Sequence, residues 1–201
     1  MGSVLCFISE EFADFEVTLA LHKIRNVGKR EVITVAYERR AVKSESGLTY
    51  EPDFTIKEAM RFQDIEGLLI PGGPLRGQAE ELTALILKLE QEGKMLAAIC
   101  NGPQYLGRAG VLERHKFTTS CSPKKIRESA VNDPFPWQNY LEQRVVIDRQ
   151  VITAKGRAFV DFSFAVFDLL GIYRGLEADQ NELFTEITEG GYREFFSGKG
   201  K

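Results

Sequence analysis

The sequence predicts an α/β fold: a three-layer sandwich in which a mostly parallel central sheet carries helices on both faces. Three observations point there. Short apolar runs alternate with longer amphipathic stretches along most of the chain, the pattern that successive βα units produce. The apolar runs are nearly continuous rather than alternating with polar residues, as strands covered on both faces are. The length of 201 residues, 43% of them hydrophobic, with no internal repeat or low-complexity linker, suits a single domain of about 190 residues (1–190) that buries about 70% of its unfolded surface.

The elements follow in order. Val4 to Ile8 reads as a buried strand, and Phe12 to Arg25 as a helix with Phe12, Phe15, Leu19 and Leu21–Ile24 on its apolar face. Val32 to Ala36 is a second strand, rich in β-branched residues. Ala41 to Tyr50 turns at Glu45-Ser46-Gly47 and reads as a hairpin or irregular excursion. Ile65 to Ile70 is a strand stopped by Pro71-Gly72-Gly73-Pro74. Ala79 to Gln91 is a helix, and Gly93 is its stop signal. Met95 to Ile99 is the next strand, Gly102 to Ala109 a short helix, and Lys116 to Thr119 a further strand. Pro123 to Ala130 reads as a short helix and residues 145–153 as a hairpin. Ala158 to Leu170 is a strongly apolar helix, Glu177 to Thr188 a polar-faced one, and residues 191–201 a frayed tail.

Composition excludes several functions. Lys+Arg 26 against Asp+Glu 29 gives a net charge of −3, too balanced for a nucleic-acid or membrane-surface binder. No apolar run approaches the roughly 18 residues of a membrane span, and Val4–Ile8 is too short for a signal peptide. Two histidines cannot furnish a histidine-rich metal site, and three scattered cysteines, Cys6, Cys100 and Cys121, are not a disulfide framework. A reducing, cytoplasmic setting with free thiols is expected, with no metal, no cofactor and a small-molecule substrate. Cys6, in the middle of a strand, reads as core.

In parallel sheets the working site lies beyond the carboxyl ends of the strands. The sharpest feature there is Ala97-Ala98-Ile99-Cys100-Asn101-Gly102-Pro103, a strand running through one residue into a helix. It has the form of a nucleophile elbow, in which Gly102 permits close packing and Pro103 suits a first helical turn. The helix start would favour thiolate and lower the Cys100 pKa, although spacing alone leaves an inert strand-end cysteine equally open. Gly72 and Gly73 supply amides that could join that of Asn101 in an oxyanion site. Gln78 stands where a phosphate loop needs lysine, which argues against nucleotide binding. Glu16 is either a solvated helix-start charge, which the pattern favours, or a site acid with a raised pKa.

Together these pieces resemble the ThiJ/PfpI superfamily, which includes the Parkinsonism-associated protein deglycase, glyoxalase-III-type enzymes and PfpI-type proteases. The resemblance runs from Val4 to about Gly171 and is densest at Leu69–Gly73, Ala97–Pro103 and Ile152–Gly156. It implies a flavodoxin-like sandwich, a homodimer, Cys100 as the reactive thiol, Glu16 as the carboxyl that meets it, and Gly73 and Asn101 as oxyanion donors. Gly72, Ser120 and Cys121 would line the site. The superfamily's deglycase branch places histidine after the Thr-Thr pair, where this chain has Ser120. Its protease branch places histidine after the cysteine, where this chain has Asn101. Neither His22 nor His115 is placed to substitute, and no histidine follows His115. A protease and a glutamine amidotransferase are therefore disfavoured. The resemblance implies a cysteine-dependent hydrolase, glyoxalase/deglycase or hydratase. The alternatives are an oxidation sensor whose thiol becomes sulfinic acid, with Cys121 as a possible resolving thiol, and a non-catalytic binding member. Phe135, Trp137 and the Glu177–Thr188 helix are expected to wall the pocket.

Overall fold

A computed structural model of the chain describes residues 2–129 and 131–189. The tail expected to fray, residues 191–201, lies outside them. The elements are β1 (Ser3–Phe7), α1 (Phe15–Asn26), β2 (Glu31–Ala36), β3 (Val42–Lys43), β4 (Thr49–Tyr50), β5 (Phe54–Thr55), α2 (Ile56–Ala59), β6 (Ile65–Ile70) and α3 (Glu80–Gln91). After them come β7 (Met95–Ile99), α4 (Pro103–Arg108), α5 (Pro123–Glu128), β8 (Val145–Asp148), β9 (Val151–Ala154), α6 (Phe159–Leu170) and α7 (Glu177–Glu189).

Seven strands form one sheet in the order β5-β2-β1-β6-β7-β9-β8. Every neighbouring pair is parallel except the β8–β9 hairpin. The predicted α/β sandwich is thus the observed one. Side chains alternate across the sheet, as the pleat requires. Leu5, Phe7, Leu68 and Ile70 pack with α2, α3 and α4 on one face. Val4, Cys6 and Leu69 pack with α1 and α6 on the other. Cys6 is fully buried, and burial pushes its thiol up to about 12, as a core cysteine should be. Among the described residues no helix is long and apolar enough to cross a membrane.

The chain leaves β1 towards β2, then returns to place β6 on the other side of β1. That reversal makes the topological switch point, where strand ends diverge and a crevice opens. The loops after β1, β6 and β7 meet there.

Three local expectations differ. The first helix begins at Phe15, not Phe12, because the Phe12 amide turns back to Ser9 O and the Ala13 amide donates to Gly72 O. Lys116–Thr119 is no strand; only Phe117 bridges, to Tyr140. Its backbone donors go elsewhere: Thr118 N–H to Thr153 Oγ1 at 2.9 Å and Ser120 N–H to Cys100 O at 2.9 Å. Finally, β5 and α2 fill a stretch left unassigned. Their junction is a capping box in which Thr55 and Glu58 satisfy each other's amides, a signature the Thr-x-x-Glu spacing carried.

Candidate active site

Cys100 opens the three-residue turn between β7 and α4 with φ +62°. A non-glycine residue there stores about 1–3 kcal/mol of strain, so neighbouring bonds must hold it. The Cys100 amide donates to Ala154 O at 2.8 Å, and its carbonyl accepts from the Ser120 amide and, at 2.7 Å, from the Thr119 hydroxyl. Gly102 allows the turn to press on the sheet, and Pro103 starts the helix. The elbow read from the sequence is present.

Glu16, in the first turn of α1, is 2% exposed. It is therefore not the solvated charge its pattern favours. Its Oε2 accepts the Gly72 amide at 2.7 Å, while Gly72 O accepts the Ala13 amide. The β6 loop and the α1 start are thereby laced together. Glu16 and the Cys100 sulfur share a crevice walled by two glycines. A Cβ on Gly72 would lie 2.6 Å from Glu16 Oε2 and 3.1 Å from Cys100 Sγ; one on Gly156 would lie 2.7 Å from Oε1 and 2.9 Å from Sγ. Both glycines keep open the space in which carboxyl and thiol meet. Gly156→Ala is expected to destabilise the fold by about 1–3 kcal/mol through overpacking. Denaturant unfolding reads this, and an unchanged midpoint would show that the crevice is looser than its geometry.

The electrostatics correct the expected lowering of the thiol pKa. Burial and then the negative charge of Glu16 push Cys100 up to about 12; the nearby Ser120 hydroxyl and Asn101 amide pull the other way. Burial likewise raises Glu16, against the Gly72 amide and the contact with Cys100, and Glu45 adds to the rise. The helix-start argument fails here because α4 has six residues and a carboxylate stands closer to the sulfur. The two groups titrate as one system: with the proton on Glu16, its repulsion vanishes and it becomes a donor to sulfur.

The remaining predicted residues fall around this pair. Ser120 lies near the sulfur, whose charged form its hydroxyl favours, and accepts the Gly156 amide at 2.9 Å. Asn101 Nδ2 donates to Gly73 O at 2.7 Å, and Cys121 Sγ donates to Asn101 Oδ1 at 3.1 Å. Asn101 therefore braces the glycine loop, and buried Cys121 braces Asn101. Gly73 has φ +148°, and its amide makes no hydrogen bond among the described residues.

Cys100, Asn101 and Gly73 line a cleft of about 900 Å³ with Glu10, Lys43 and Lys125. Ser120 and Cys121 also line a neighbouring cavity of about 630 Å³ with Trp137 and Arg157. The expected pocket walls need correction. Phe135 is buried in the core, stacked on Phe117, Trp137 belongs to the neighbouring cavity, and α7 packs through Phe184 on Phe164 of α6. The wall comes instead from Lys43, Ser44, Glu45 and Gly47 of the β3–β4 excursion and from Lys125 and Ser129. His115 is buried against Asp148 O, and His22 is exposed. Among the described residues no group of three or more His, Cys, Asp or Glu side chains is placed to hold a metal ion.

Comparison with known proteins gives a consistent result. The DJ-1/PfpI family model matches residues 2–169. Deglycase PH1704 of Pyrococcus horikoshii is 30% identical over 155 residues, covering 76% of this chain and 89% of the relative. Protein/nucleic acid deglycase 2 of Escherichia coli is 29% identical over 160 residues, covering 76% and 87%. Among solved structures, the DJ-1 superfamily protein Atu0886 of Agrobacterium tumefaciens is 27% identical, covers 92% of this chain and 98% of its own, and superposes with a TM-score of 0.76.

Proposed function

This chain belongs to the DJ-1/PfpI family, and from that premise we propose that it is a cysteine-dependent enzyme of deglycase/glyoxalase type, acting on small α-oxoaldehydes and their adducts. The observation that carries the reading is the buried Glu16 carboxyl facing the Cys100 sulfur in a crevice walled by Gly72 and Gly156. Relatives named deglycases support it.

The chemistry follows from the pair. Cys100 Sγ adds to the aldehyde carbon, so an S–C bond forms as the C=O π bond breaks. The thiol proton passes through Glu16 to the new oxygen, giving a hemithioacetal and leaving Glu16 ionised. During addition the growing oxygen charge is met by the Gly73 and Asn101 amides. Glu16 then takes the proton from the sulfur-bearing carbon and returns it to the adjacent carbon, while the hydroxyl proton on the first carbon's oxygen passes to the oxygen of the second. The first carbon becomes a thioester and the second an alcohol, so oxidation and reduction balance within the substrate. Water hydrolyses the thioester to a 2-hydroxy acid and frees the thiol. Ser120, beside the sulfur, stands in place of a histidine and favours its charged form.

Glu16→Gln tests this with methylglyoxal as substrate and the 2-hydroxy acid read by proton NMR. The expected loss in kcat is about 10²–10⁴-fold, the size of a general acid–base contribution. In the parent, activity falls as pH drops through the Glu16 pKa, which lies above the ordinary glutamate value; in E16Q that limb disappears. A raised folded-state pKa means that Glu16 favours folding at low pH and gives up that contribution as pH rises through it. E16Q should thus be at least as stable as the parent near neutrality, so a catalytic loss is separable from unfolding. Activity of E16Q within about fivefold of the parent would remove Glu16 from the mechanism.

A further inference from the structure

Asp14 stands at the N-cap of α1, where aspartate ordinarily accepts a hydrogen bond from the helix's own first amides. Here its side chain makes no such bond. Both carboxylate oxygens turn instead to one distant segment: Oδ2 accepts the Ser44 and Tyr50 hydroxyls, each at 3.0 Å, and Oδ1 accepts the Ser46 hydroxyl at 2.6 Å. The carboxylate is 3% exposed. Burial alone would raise its pKa, but the Ser46, Tyr50 and Ser44 hydroxyls outweigh it and hold Asp14 below the usual range. It therefore stays an ionised acceptor.

The segment it grips is the β3–β4 hairpin, residues 42–50. That hairpin stands apart from the central sheet, held internally by the pairs Val42–Tyr50 and Lys43–Thr49. A two-stranded hairpin is marginal by itself, so its position depends on what it is tied to. The ties run to one place. The Glu11 amide donates to Lys43 O at 2.7 Å, the Glu45 amide donates to Phe12 O at 2.9 Å, and Phe12 meets the Tyr50 ring edge-on at 5.1 Å. Lys43, Ser44, Glu45 and Gly47 of this hairpin form one wall of the cleft over Cys100.

We propose that Asp14 is a positioning residue that latches the 42–50 hairpin over the cleft and so sets the size of the molecule that reaches Cys100. This rests on Cys100 being the reacting group of the cleft, but not on turnover. The latch works through hydroxyl groups contributed only by the hairpin, so it can be released from either side.

The test is alkylation of the full chain at neutral pH by a small reagent, iodoacetamide, and a bulky one, N-(1-pyrenyl)maleimide, with Cys100 adducts resolved by peptide mass. Asp14→Asn releases the latch from α1. The pair Ser46→Ala with Tyr50→Phe releases it from the hairpin and leaves α1 untouched. In both, the bulky-to-small rate ratio should rise about tenfold while the iodoacetamide rate stays within threefold of the parent. A change in thiol charge state moves both reagents alike and cancels in the ratio. A ratio that rises less than threefold in the S46A/Y50F chain overturns the proposal, as does an equal acceleration of both reagents. If Asp14→Asn does not fold, the hairpin variant alone decides. Loss of turnover in a parent whose Cys100 still alkylates size-selectively would count against the proposed reaction and leave the latch standing.

Discussion

Cys100→Ser is expected to lower kcat/KM for α-oxoaldehydes by about 10³-fold or more, because a hydroxyl in the same place is a far weaker nucleophile and has no imidazole to activate it. The elbow itself should survive. Serine accepts the same φ of +62° with the same backbone bonds to Ala154 and Ser120, so circular dichroism should not change. The same variant separates turnover from oxidation sensing. Under mild peroxide the parent thiol takes up two oxygens to become sulfinate, each from one peroxide that leaves as water. Intact mass shows that gain at Cys100 if the thiol is a sensor and none in the serine variant. Full turnover by Cys100→Ser would end the covalent mechanism.

Gly102→Ala is expected to have a large effect on folding. A Cβ there would lie 2.4 Å from Ile70 O and 2.8 Å from both Ile99 O and Pro71 O. All three are backbone atoms of β6, β7 and the loop that carries Gly72, so nothing can rotate aside. Its φ of −53° suits alanine, which leaves sterics as the sole cause. A destabilisation of about 3 kcal/mol lowers Tm by about 6–12 °C in a chain of this size. Gly77→Ala is the control, since nothing lies within 4 Å of its Cβ, and it should melt within about 1 °C of the parent. A Gly102→Ala chain that melts as the parent does would mean that β6 and β7 can part without cost.

The sandwich was legible because its signals are local and redundant: continuous apolar runs, helical periods, and Gly or Pro at the breaks. The elbow was legible for the same reason, since Cys100, Gly102 and Pro103 are neighbours. The burial of Glu16 was not, because it depends on Gly72 reaching back across 56 positions; the pattern favoured a solvated charge, and resemblance alone favoured the site acid. The direction of the thiol pKa was missed because a helix-start argument counts one field, and the carboxylate that outweighs it comes from another loop. The apolar period of α1 ran on through Phe12 and Ala13, although their amides are committed to Ser9 and Gly72. Asp14 carries no local sign of its role, because its hydroxyl partners Ser44, Ser46 and Tyr50 lie 30–36 positions away.

The switch-point topology also governs when the thiol acquires its chemistry. Glu16 follows the first strand and Cys100 the seventh strand segment, and nothing local joins them. They become neighbours only once β1, β6 and β7 are paired side by side. Pairings of such long sequence separation form late and together. A nascent or partly folded chain therefore carries an ordinary cysteine at position 100, and the coupled acid–thiol system arises with the completed sheet. The meeting of carboxyl and thiol in this molecule is a property of the finished topology, so the surroundings of Cys100 report the completed sheet.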